Sequence, residues 1–176
     1  MEEDSSSDEV EWTEVKTPAE ASEILHATIF EFASVLYKLY KTDETTFPNK
    51  YKGQLLPSAK IFVITGLMKA WDNNKERLAE HYVNHVCNCE AQIKDRDVNF
   101  FLDNNELYSG PNGRKPKPED IEFFKDLWRP KSTFGLKPDE REACFVYFDI
   151  MIHFAREWQK MRKYVAPWEV AEKVKK

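Results

Sequence analysis

From Pro138 to Val165 the chain reads PDEREACFVYFDIMIHFAREWQKMRKYV, and this stretch decides the fold class. Cys144, Tyr147, Met151, Phe154, Trp158, Met161 and Val165 alternate spacings of three and four over three heptads, the period of a helix that buries one stripe. Phe145, Phe148, Ile150 and Ile152 make its first half apolar on the other sides as well. A helix of that kind is packed by neighbours all round, so the spacing predicts a central helix over 138–165. Pro138-Asp139-Glu140 opens it, because proline suits the first helical turn and acids favour the positive helix end.

Working outward, Pro118-Glu119-Asp120 repeats the device and opens a short helix through Trp128, which Arg129-Pro130 stops. Leu78, Tyr82, Val86, Cys89 and Ile93 fall within about 80° of one another at 100° per residue, one seam of a long helix over 75–103. Ser58 to Trp71 combines the strand-like run Ile61-Phe62-Val63-Ile64 with helical spacing of Ile61, Ile64, Met68 and Trp71, and is read as helix. Thr17-Pro18-Ala19-Glu20 has the cap, the first-turn proline and the glutamate of a helix start. From there Ile24, Leu25, Thr28, Ile29, Phe32, Leu36, Leu39 and Tyr40 form a stripe up to Lys41, widened by Ala33 and Tyr37. Residues 42–57 and the basic run 109–117 carry turn formers and read as loops. No repeat of 20 to 50 residues is visible. The expected fold is all-α, a compact bundle of five to six helices: a disordered acidic tail over 1–16, a helical domain over 17–166 and a short basic segment over 167–176.

The 176 residues suit a single core, and 14% aromatic content with only five glycines is too rich in large apolar side chains for a disordered chain. The net charge of −5 divides unevenly. Residues 1–24 hold nine acids against Lys16, a balance of −8, while the remaining 152 residues hold 25 basic and 22 acidic groups, a balance of +3. The acidity therefore belongs to the N-terminal segment, where Asp8, Glu9, Glu11, Trp12 and Glu14 are the candidate partner-binding residues and Ser5 to Ser7 stand beside acids. Phosphorylation there would add about 1.5 to 2 negative charges per site. Trp12 embedded in acids resembles the short acidic-aromatic stretches of histone chaperones, a likeness that implies a basic partner for this segment. The plainer reading is a solvating terminus whose one tryptophan folds back on the body.

No run approaches the roughly 18 to 20 apolar residues of a membrane-spanning helix, and Met1 to Glu14 lacks the basic start and apolar stretch of a secretory leader. Cys87, Cys89 and Cys144 are an odd number for a disulfide framework. These features point to a reducing location, cytoplasm or nucleus, or to a virion, and not to secretion or a membrane.

Three constellations bear on chemistry. His81, His85 and Cys89 are four apart, the spacing of zinc ligands on one helix face, with Cys144, His153 or His26 as a fourth ligand; the competing reading is a core cysteine beside two boundary histidines. Glu23 and His26 supply only one of the two Glu-x-x-His motifs of a di-iron bundle. Asp149 and His153, also four apart, read as a local ion pair. Gly-x-Ser-x-Gly elbows and glycine-rich phosphate loops are missing from the sequence, and no cysteine is placed at a predicted helix start. The sequence thus points away from an enzyme and calls for no cofactor. Arg114, Lys115, Lys117, Arg129 and Lys131, and then Arg156, Lys160, Arg162 and Lys163, are candidate contacts for an anion or nucleic acid, set against ordinary solvated faces. Trp71, Trp128, Trp158 and Trp168 with Phe100-Phe101 and Phe123-Phe124 read as core, or as an assembly surface where exposed. The expectation is a non-enzymatic interaction or assembly protein, self-assembling or binding other proteins. The alternative is a nucleic-acid-associated or histone-binding protein.

Overall fold

The structure, a computed structural model, describes residues 12–42, 69, 71–105, 117–129 and 136–175. Every regular element among them is helical. Helices α1 (Pro18–Thr42), α2 (Lys75–His85) and α6 (Pro138–Arg162) pack pairwise on one another and enclose the core. Around them lie α3 (Glu90–Lys94), α4 (Val98–Asp103), α5 (Pro118–Trp128) and α7 (Pro167–Val174).

The stripe read from 138–165 is the one that α6 buries: Cys144, Met151, Phe154 and Trp158 are buried, with Phe145, Ile152 and Ala155 beside them. At its start the Lys137 N–H donates to Glu140 Oε2 at 3.2 Å. Its end falls earlier than expected, because Lys163 takes a left-handed conformation (φ 52°) and turns the chain, which leaves Val165 51% exposed. The start of α1 follows its sequence signature. Thr17 Oγ1 accepts from the Glu20 N–H at 3.2 Å, and the Glu20 carboxylate accepts from the Lys16 N–H at 2.9 Å.

The expected single helix over 75–103 is corrected to α2, a 3₁₀ turn over Cys87–Cys89, α3 and α4. The seam itself survives, since Leu78, Tyr82, Cys89 and Ile93 are buried and Val86 packs against them. The break after α3 is fixed by both local and long-range bonds, the latter from Arg96 to Glu142 and Asp149. Arg96 adopts φ 52° and its guanidinium donates back to Ile93 O at 3.0 Å; Asp97 then caps α4 by accepting from the Phe100 N–H at 3.1 Å. Within the short basic segment over 167–176 the chain forms α7. Pro167 opens it, and Glu169 Oε2 accepts from the Ala166 N–H at 3.0 Å. The described residues hold seven α-helices, of which α3 and α4 are only five and six residues long. The helix read over 58–71 lies outside the described residues except Lys69 and Trp71, as do the loop over 43–57 and residues 109–116.

In the core, Phe145 is flanked by Phe101 and Trp128, with ring centroids 6.1 and 5.3 Å away, and Tyr82 Oη donates to Met151 Sδ at 3.2 Å. The buried indole of Trp158 donates to Glu76 Oε1 at 3.0 Å, and the indole of Trp168 donates to Val83 O at 3.1 Å. Each amphipathic ring thus has its polar atom paired, which burial would otherwise penalise.

Candidate interaction cleft

Asp149, Ile152, His153 and Arg156 stand at i, i+3, i+4 and i+7 on α6, one face of the helix. The chain from α3 through the Arg96 turn runs past that face and adds Glu90, Lys94 and Arg96. Together with Trp12 these residues line an open cleft of about 490 Å³. Three cations and two carboxylates thus meet in one concavity whose aromatic wall is the Trp12–His153 pair. The indole lies parallel to the imidazole, with centroids 4.1 Å apart and planes 11° from coplanar, and meets Phe154 edge-on at 6.3 Å. Trp12 remains 38% exposed, and Val15 packs against the core. The end of the N-terminal segment is therefore seated on the body, in the manner of the plainer reading, a tryptophan folded back; Asp8, Glu9 and Glu11 lie outside the described residues.

Ion pairs fix the cleft walls. Arg96 Nη2 donates to Asp149 Oδ2 at 2.7 Å and to Glu142 Oε1 at 3.1 Å, which ties the turn to α6. Arg156 is the larger node. Its Nη2 and Nε donate to Glu90 Oε2 at 2.8 and 3.0 Å, its Nη1 donates to Gln159 Oε1 at 2.8 Å and Glu169 Oε1 at 3.0 Å, and its guanidinium lies 5.3 Å from the Trp168 ring centroid. Burial pushes the carboxyls of Glu90 and Glu169 up. Hydrogen bonds from Arg156 and Lys94 on Glu90, and from Ala166, Gln159 and Arg156 on Glu169, outweigh it and hold both below their ordinary value.

Of the cations singled out from the sequence, Arg156, Lys160 and Lys163 line one open pocket at the end of α6, and the arginines among the described residues are paired. Arg129 pairs with Glu122 and Asp126, Arg156 with Glu90 and Glu169, and Arg162 grips Glu76 through two 2.7 Å hydrogen bonds. Lys117, Lys160 and Lys163 are exposed, while Arg114, Lys115 and Lys131 lie outside the described residues. The expected Asp149–His153 pair is corrected, because Asp149 turns to Arg96 and His153 to Trp12.

His81 and His85 do meet, with ring centroids 4.4 Å apart, and Trp71 stacks on His81 at 6.3 Å. Burial, and then the neighbouring His85, hold His81 below its ordinary pKa. Cys89 does not continue their row on one helix, because α2 ends at His85 and the 3₁₀ turn intervenes; its thiol is buried and pushed up by burial. Among the described residues no three His, Cys, Asp or Glu side chains gather as a metal site. Cys144, His153 and His26 are engaged elsewhere. Cys144 is buried, His153 is stacked on Trp12, and His26 Nε2 lies 3.8 Å from Asp72 Oδ1. Cys87 and Cys144 are pushed up to about 12, chiefly by burial, which suits packed thiols and not nucleophiles.

Comparison of the chain with protein-family models, with curated proteins and with solved structures finds no significant match. Among the described residues no helix is long and apolar enough to cross a membrane. Arg96, Glu90 and Lys94 are the cleft residues that the sequence alone did not single out. The one trace of the break in the sequence is Asp97, since an aspartate inside an apolar-periodic run can cap a helix restart.

Proposed function

We propose that this is a non-enzymatic interaction or assembly protein, intracellular or virion-associated, that binds other proteins through its helical surfaces and its acidic N-terminal segment. The observation that carries the reading is the seating of Trp12 on His153 at the mouth of a mixed-charge cleft. An aromatic ring held there by stacking, at the end of a chain segment rich in acids, is peptide recognition in miniature. Pairing of Arg129, Arg156 and Arg162 with carboxylates of the body supports a protein partner over nucleic acid, since a phosphate backbone needs cations free to release counterions.

Native mass spectrometry of the full chain, purified at low salt from cells that make it, tests the proposal. The expected spectrum is a complex of defined mass, with itself or with another polypeptide. A bare monomer at every salt concentration overturns it.

A further inference from the structure

The cleft between α6 and the α3–Arg96 turn is filled at one end by part of the chain's own N-terminal segment. We infer that it is a receptor for an acidic partner peptide that carries an aromatic ring, and that Trp12 occupies the receptor in cis. This rests on the reading above and names the partner's chemistry.

Three observations point to that occupant. The aromatic seat is already formed, because His153 presents its ring face to Trp12 at 4.1 Å and Phe154 closes the edge. The ring held in cis also belongs to an acidic stretch, with Glu11 before it and Glu14 after it, and Lys94 at the rim, bonded to Glu90 at 3.0 Å, keeps 66% of its side chain exposed toward such a segment. Finally, the cis occupant is lightly held. Trp12 keeps 38% of its surface, and only the short stretch Thr13–Lys16 separates it from Thr17, which caps α1. A stack of this kind is exchangeable, and a tethered ligand competes with a free one by effective concentration.

The seat has its cost to a competing peptide. If Trp12 fills it about nine-tenths of the time, the apparent affinity for a peptide in trans falls about tenfold, since only the open fraction binds. Freeing the seat restores that factor. The exposed Lys94 adds a dependence on salt, because exposed charges are screened within about 10 Å at 0.1 M ionic strength.

The test uses a synthetic peptide of residues 1–16 with 5-fluorotryptophan at position 12, followed by fluorine NMR against the full-length chain. The expected result is binding to Trp12→Ala about tenfold tighter than to the unsubstituted chain, weakened by salt, lost in Trp12→Ala/His153→Ala and retained in Trp12→Ala/His153→Phe. Circular dichroism of each variant establishes that the helices are intact. Equal affinity for Trp12→Ala and the unsubstituted chain overturns the inference, as does undetectable binding to Trp12→Ala or binding that survives His153→Ala. Sedimentation equilibrium decides the source of the occupant. A monomeric chain at the concentrations used supports a partner peptide, whereas a Trp12-dependent dimer assigns the seat to a second copy and overturns that choice. Failure here with a complex still present in native mass spectra removes the cleft's role and leaves the interaction reading standing.

Discussion

Replacing Arg156 by alanine should be the most informative single perturbation of the scaffold, because one guanidinium ties α6 to α3 and α7. The side chain is 31% exposed, and its two carboxylate partners, Glu90 and Glu169, are 24% and 25% exposed. A hydrogen bond to a charged group contributes about 1.5 to 3 kcal/mol, and partial exposure places each contact toward the lower end. With two carboxylates left partly buried, the expected loss is about 2 to 4 kcal/mol at pH 7, a sizeable part of the 5 to 15 kcal/mol typical of a domain. The pH dependence separates ion pairing from simple packing. Glu90 and Glu169 are held below their ordinary value in the folded state, so their contribution is present above the unfolded carboxyl pKa of about 4.3 and is lost as pH falls through the lower folded value. The stability gap between the unsubstituted chain and Arg156→Ala should therefore be widest near pH 7 and narrow toward pH 3. Urea unfolding followed by circular dichroism at both pH values measures it, with Arg156→Met as the variant that keeps an apolar stem over Trp168. A gap below about 0.5 kcal/mol, or one that does not change with pH, refutes the reasoning.

Two further outcomes follow from the core. Phe145→Ala removes a ring that is 2% exposed and flanked by Phe101 and Trp128, so urea unfolding should show a loss of about 3 to 5 kcal/mol; a loss under 1 kcal/mol would mean that the site collapses or is not packed as described. Cys87 and Cys144, buried and pushed up to about 12, should react with a disulfide reagent at pH 8 far more slowly in the native protein than in urea, and native labelling at the unfolded rate would contradict their burial.

The sequence made the helical class legible because the α6 stripe and the start of α1 depend on local spacing and capping, which a single chain displays. The seam from Leu78 to Ile93 was also legible, but its interruption was not. The 3₁₀ turn keeps the apolar residues in phase, so periodicity cannot see the break, and the left-handed Arg96 is held by long-range bonds to Glu142 and Asp149. α7 was obscured by its length of only eight residues, although Pro167 and Glu169 announce its start. The cleft was the least legible part. Asp149 and His153 look like a local pair on a helix, and only the tertiary arrangement brings Arg96 to one and Trp12 to the other. Arg129, Arg156 and Arg162 looked like a basic surface for the same reason, their carboxylate partners being invisible in the sequence neighbourhood or discounted as dilution.

The most direct measurement of the central claim is lysine cross-linking with mass spectrometry on the complex isolated from cells that make the protein. Lys94 stands exposed at the cleft rim, and Lys16 lies four residues beyond the stacked Trp12. Cross-links from Lys94 or Lys16 to a partner polypeptide, lost or weakened in Trp12→Ala/His153→Ala, are the predicted result. Cross-links confined to the single chain, at the mass of the monomer, would contradict it.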